Sequence, residues 1–311
     1  MKNPIISVAG VTRRYGDVAA LDDVSFTIEQ PSIIGLLGRN GAGKTTLMAL
    51  LTGQDRPTAG SIHVTGGDPF ESAPVQDDIS FIRDNQRYPD DYQLKHALRI
   101  APLFHPAWDA ALAARLVEAF RLPAKTKVKK YSRGQLSALG VVISLASRAP
   151  ITFLDEPYLG LDATARQHFY DVLIEDYSAH PRTIIASTHL IDEMAPLFDH
   201  VLVLDRGRLV LDRSADDLAG FAFTLSGVTT RVEPYLEGRD VLHSHEIGAL
   251  STVTVRGQAG RELVAAAGAD GVDVRPASLQ QIVSALGAGS LTDARAARPT
   301  TDLDASRATT V

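Results

Sequence analysis

Residues Gly38 to Thr46 read GRNGAGKTT and fit the pattern G-x-x-x-x-G-K-[ST], with Gly38, Gly43, Lys44 and Thr45 in the fixed places. The apolar run Ser32-Ile-Ile-Gly-Leu-Leu37 precedes the match and suits a buried strand. Thr46-Leu-Met-Ala-Leu-Leu51 follows it and suits a helix. Strand, glycine-rich loop and helix in that order make a phosphate-binding loop. Its glycines let backbone N–H groups close around phosphate oxygens, and the helix N-terminus adds positive partial charge. Gly38, Arg39, Asn40, Gly41, Ala42, Gly43, Lys44, Thr45 and Thr46 are therefore candidate phosphate contacts. Lys44 would reach the β- and γ-phosphates, and Thr45 would offer its hydroxyl to Mg²⁺. The stretch points to a nucleoside triphosphate without saying what its energy drives.

The 311 residues are enough for one large domain with a smaller one beside it, or for two domains. A chain 45% hydrophobic and 22% charged is an ordinary globular protein. The formal net charge of −6 gives no argument for nucleic-acid binding, and no nucleic-acid partner is expected. The absence of cysteine excludes disulfides, thiolate metal sites and cysteine nucleophiles. No stretch approaches the ~18 uninterrupted apolar residues of a membrane span. Met1-Lys-Asn-Pro4 lacks the apolar core of a signal peptide. A location on the cytosolic side is expected.

Strands are expected at 5–11, 24–28, 32–37, 61–64, 79–82, 151–154, 183–187 and 201–204. Helical spacing of Leu94, Leu98, Leu112, Leu116, Val117 and Phe120, broken at His105-Pro106, marks a helix-rich segment. Further helices are expected from Gln135 to about Ser147 and from Ala163 to Tyr177. Alternation of this kind implies an α/β domain over residues 1–219 with a largely parallel core sheet, interrupted by a helical subdomain at about 86–150. Past Gly220 the texture changes. Strands at 221–225, 252–255 and 272–274, with helices at 261–267 and 278–286, suggest a small α+β domain over 220–287. Residues 288–311 have almost no large apolar side chains and read as a disordered tail.

Ile151-Thr-Phe-Leu-Asp155-Glu156 delivers two carboxylates at the C-terminal end of an apolar strand, the edge where open α/β sheets bind ligands. Asp155 suits Mg²⁺, directly or through water. Glu156 is placed to polarise an attacking water as general base.

With these pieces in place the chain resembles the ATP-binding subunit of an ABC transporter. Tyr131-Ser-Arg-Gly-Gln135 shares Ser132, Gly134 and Gln135 with that family's LSGGQ signature and opens a helix. Gly160-Leu-Asp162 resembles its D-loop, and Ser187-Thr-His189 its switch-histidine motif. Tyr15 resembles the aromatic that stacks on adenine. The motifs run in the family's order over residues 5–218. The resemblance implies a P-loop NTPase core, an N-terminal antiparallel β subdomain, and ATP with Mg²⁺ as ligands. It implies that His189 contacts the γ-phosphate while holding Glu156 and water in line. It implies that Ser132 and Gly134, with Gln135 and Asp162, meet ATP held by a partner subunit. A second copy of the chain or a paralogue would then complete an ATP-sandwich dimer. A separately encoded transmembrane permease, export as the direction, and a peripheral place at the cytoplasmic face of the membrane are implied as well.

Three departures from the pattern stand out. Arg133 replaces a signature glycine, and Tyr131 replaces the leading leucine. The metal-contacting glutamine after the strand at 79–82 is replaced in register by Asp84, with Gln86 two residues late. Either could serve, and a carboxylate at 84 would suit Mg²⁺. The aromatic stretch Tyr88 to Tyr92 is a candidate groove for a helix of the membrane partner. The rival readings are a soluble ABC-type ATPase acting on ribosomes or DNA, and a GTPase, for which the [NT]-K-x-D guanine motif is missing.

Overall fold

The apolar run before the phosphate loop becomes β3 (Ile33–Leu37), with every residue buried. The computed structural model describes residues 4–83 and 86–296, with side chains described to residue 287. β3 sits inside a six-stranded sheet of order β5-β6-β7-β3-β8-β9. Its members are β5 (Ile79–Ile82), β6 (Ile151–Asp155), β7 (Thr183–Ser187), β8 (His200–Asp205) and β9 (Arg208–Ser214). β5 through β8 run parallel with β3, and β9 returns antiparallel to β8. A parallel sheet needs both faces covered, which is why its central strands are apolar along their whole length. The helix Lys44–Leu51 supplies Leu47, Met48, Leu50 and Leu51 to the same core as Ile34, Leu36, Phe153 and Ile185.

A separate three-stranded antiparallel sheet, β2-β1-β4, is formed by β1 (Ile6–Tyr15), β2 (Val18–Ile28) and β4 (Ala59–Val64). Val24, Phe26 and Ile28 are buried while Ser25 and Thr27 face out, the alternation of a sheet with one wet face. β2 begins six residues before the alternation does, because Tyr15 pairs with Val18 across a tight Gly16-Asp17 turn. That hairpin fixes Tyr15 at a strand end.

The helices Leu94–Ile100, Ala110–Ala119 and Arg133–Ser147 fill the expected helical segment. Asp109 caps the second, accepting from the Leu112 N–H at 2.8 Å.

The chain divides into two compact units. The first holds Met1–Phe221 and Ser278–Val283, and the second holds Ala222–Ala277 and Ser284–Val311. The second unit has a four-stranded antiparallel sheet, β11-β12-β10-β13. It comprises β10 (Ala222–Val228), β11 (Val241–Ile247), β12 (Leu250–Arg256) and β13 (Asp273–Pro276). Phe223, Leu225, Val253, Val255, Ala267 and Val272 form its core. The helix Leu279–Ala296 extends past residue 287 into the stretch read as a disordered tail. Alanine, leucine and arginine are strong helix formers, so few large apolar residues are needed to continue a helix already begun. Residues 297–311 lie outside the described residues.

Candidate functional site

β6, β7 and β3 are neighbours in the sheet and end at one edge. Register pairs Asp155 with Ser187, and Leu36 with the same Ser187. The topology therefore gathers three segments distant in sequence: the loop after β3, the acidic end of β6, and Thr188-His189 after β7.

In the loop, Gly38 has φ +141° and Gly43 has φ +106°. A Cβ on Gly38 would lie 2.2 Å from the Leu204 carbonyl oxygen, and one on Gly43 2.7 Å from that of Ala20. Both must be glycine for the loop to lie against its neighbours. Above Gly41 the space is open, leaving room for a ligand to approach the backbone. Lys44 Nζ donates to the carbonyls of Gly38 at 2.7 Å and Arg39 at 3.1 Å. Burial holds the Lys44 ammonium below its ordinary pKa, opposed by attraction to Glu156 and Asp155. Arg39, Asn40, Gly41 and Thr45 are exposed, Thr46 is half-buried, and Ala42 is buried against the core.

Burial raises the pKa of Asp155, and a 2.6 Å hydrogen bond from the Ser187 hydroxyl counters it. The Ser187 oxygen in turn accepts the Glu156 N–H at 3.1 Å. One hydroxyl thus fixes the two carboxylate residues against β7. Glu156 takes φ +51°, a left-handed conformation that costs a non-glycine residue about 1–2 kcal/mol. It turns the Glu156 side chain toward His189, whose Nδ1 lies 2.7 Å from Glu156 Oε2. An ionised carboxylate has no proton to give, so Nδ1 carries the proton in this contact.

Tyr158, which the sequence reading left without a role, stands at the centre of this group. Its hydroxyl contacts Glu156 Oε2, Thr188 Oγ1 at 2.7 Å and the backbone N–H of His189 at 2.8 Å. The only signal in the sequence is its place two residues after Glu156.

These residues fit the groups the motifs imply. A magnesium ion usually keeps water and takes one or two carboxylates plus substrate phosphates. Asp155 with the exposed Thr45 hydroxyl is such a sparse, hard donor set, and no larger cluster of metal-binding side chains occurs among the described residues. Asp84, the candidate third metal contact, lies outside the described residues. Gln86 lines an apolar groove with Phe81, Tyr88, Tyr92, Ile100 and Phe104.

Tyr15 is half-exposed, and its ring is held rather than loose. Its hydroxyl donates to Asp55 at 2.6 Å, and the Arg13 guanidinium covers one ring face at 4.5 Å while pairing with Asp55 at 2.7 Å. A flat aromatic fixed this way suits stacking on a base.

Ser132, Gly134 and Gln135 sit at the start of the helix Arg133–Ser147. Ser132 Oγ accepts the Gln135 N–H at 3.2 Å, and Gln135 Oε1 accepts the Ser132 N–H at 3.0 Å. This is a reciprocal capping box, so both side chains have a structural task within the chain. Asp162 likewise caps its own helix, accepting from the Ala165 N–H at 2.8 Å. The start of the signature helix packs on the Gly160 turn: a Cβ on Gly134 would lie 2.2 Å from the Gly160 carbonyl oxygen. Ser137 Oγ reinforces that contact, donating to the Leu159 carbonyl at 2.6 Å. Gly134→Ala is therefore expected to destabilise the nucleotide-free protein by about 1–3 kcal/mol through overpacking. Urea unfolding measures this, and an unshifted midpoint would contradict the close packing.

A mostly parallel sheet with a glycine-rich phosphate loop, and with acidic and histidine side chains delivered by neighbouring strands, defines a phosphate-loop NTPase fold. Residues 21–159 match the ABC transporter family model. A daunorubicin resistance ATP-binding protein of Streptomyces coeruleorubidus is 32% identical over 224 residues, spanning 70% of this chain and 71% of that protein. A Nod factor export ATP-binding protein of Ralstonia nicotianae is 31% identical over 221 residues, spanning 69% and 68%. Among solved structures, an ATP-binding subunit of an ABC transporter superposes with a TM-score of 0.62 at 24% identity, covering 69% of this chain and 91% of that one. The chain belongs to the family of ABC transporter ATP-binding proteins.

Proposed function

We propose that this chain hydrolyses ATP to drive a separately encoded transmembrane permease, in the direction of export. The observation that carries the reading is the meeting of Lys44, Asp155, Glu156 and His189 at one sheet edge, with Glu156 and His189 only 2.7 Å apart. The Nod factor export relative supports the direction.

The loop Gly38–Thr46 wraps the triphosphate, and Lys44 leaves the Gly38 and Arg39 carbonyls for the β- and γ-phosphate oxygens. Tyr15 stacks on adenine. Bound Mg²⁺, held by Thr45 and Asp155, would offset the charge on the phosphates. Glu156 takes a proton from the attacking water, and His189 keeps the carboxylate turned toward the γ-phosphate. Ser132 and Gly134, with Gln135 and Asp162, face the ATP of a second copy or a paralogue. Their capping and packing preset the helix N-terminus, whose partial positive charge favours an anion.

Among the described residues no helix is long and apolar enough to cross a membrane. Membrane attachment then rests on the permease, which would place the chain as a peripheral subunit at the cytoplasmic face. The groove lined by Tyr88, Tyr92 and Phe104 suits one of its helices, and the neighbouring Leu103 is 79% exposed. The tagged chain is expected to co-purify from its own cells with an untagged integral membrane protein. ATP turnover should rise when the two are reconstituted together. Recovery with ribosomes or DNA, and not with a membrane protein, would select the soluble alternative.

A further inference from the structure

We propose that Tyr158 is a positioning residue for hydrolysis, its single buried hydroxyl setting Glu156 and His189 relative to one another. The inference rests on Glu156 acting as the base.

The hydroxyl has one proton and two lone pairs. One lone pair faces the His189 N–H at 2.8 Å. Thr188 Oγ1 lies 2.7 Å away and already accepts the Leu190 N–H at 2.9 Å, so its own proton is available for the second lone pair. The phenol proton is left for Glu156 Oε2. Burial, then the neighbouring Glu156, keep the phenol protonated well above its ordinary range, so the donor persists at working pH. Glu156 Oε2 therefore receives two donors, the phenol O–H and His189 Nδ1–H. The Tyr158 ring meets the His189 ring edge-on at 5.5 Å between centroids, which limits rotation of the imidazole.

Tyr158 is 1% exposed, so a packing role alone would explain its burial. It would not explain a hydroxyl aimed at the base, at the histidine backbone and at Thr188 just before that histidine. Phenylalanine keeps the ring and removes only the hydroxyl.

Tyr158→Phe is expected to lower kcat for ATP about tenfold or more, since a misplaced reacting group can cost about 10²-fold. KM and the ATP dissociation constant should stay within about twofold, as a group acting only on the chemical step leaves ground-state binding alone. In a Glu156→Gln background, Tyr158→Phe should lower the residual single-turnover rate by much less than it lowers the wild-type rate, because the residue acts chiefly through the carboxylate. An unchanged kcat, parallel changes in kcat and KM, or an equally large loss in the Glu156→Gln background would each overturn the assignment. If Tyr158→Phe does not fold, Thr188→Val decides: a fall in kcat at constant KM supports the hub, and wild-type kcat overturns it. Brisk turnover by Glu156→Gln alone would remove the base reading itself, a distinct outcome from a silent Tyr158→Phe.

Discussion

Glu156→Gln is expected to bind ATP normally and to turn it over about 10²–10⁴-fold more slowly, the usual contribution of a positioned general base. The substitution nearly preserves shape. Its amide oxygen can still accept from Tyr158 or from His189 Nδ1, so the left-handed turn at 156 and its neighbours should persist. Basicity is what disappears. The ATP-loaded state then outlives its normal decay, and a dimer should accumulate with ATP, seen as an earlier elution on size exclusion. Two results would sink the role: hydrolysis within a few-fold of wild type, or lost ATP affinity.

The parts of this site that were legible in the sequence are those encoded within a few residues. The loop at 38–46 is a local pattern flanked by a strand and a helix, and Asp155-Glu156 closes an apolar run. Parallel strands, buried on both faces, announce themselves as unbroken apolar stretches. The edge strand β11, reading VLHSHEI and mostly exposed, did not. Its place comes from pairing with β12, not from a hydrophobic alternation of its own. β9 was missed for a related reason: its place comes from antiparallel pairing with β8 across the Arg206-Gly207 turn.

Long-range polar contacts were less visible still. Tyr158 reaches residues 30 and 31 positions away, and Tyr15 is tied to Asp55 across 40. Such bonds depend on which strands become neighbours, and no local periodicity reports that. Ser132 and Gln135 show the opposite problem. Their spacing could be read as a capping box as readily as an anion site, and the structure has them performing the first task.

Lys44→Ala is expected to weaken ATP binding about 10–150-fold, the equivalent of losing ~1.5–3 kcal/mol of charge-assisted hydrogen bonding. Fold stability should respond differently. Burial lowers the Lys44 pKa relative to the unfolded chain, so the folded state disfavours this ammonium. The charge therefore subtracts from stability at neutral pH, and that penalty fades as pH rises through the depressed folded value toward the unfolded one. Removing it should leave the melting temperature of the nucleotide-free protein unchanged or higher. The two Nζ hydrogen bonds to Gly38 and Arg39 set the limit on any gain, since their carbonyls lose a partner. Calorimetric titration with ATP, paired with thermal melts without it, separates the effects. Unaltered affinity would contradict the phosphate loop. Weakened affinity with a lowered melting temperature would mean that Lys44 serves the loop's own structure as well as the nucleotide.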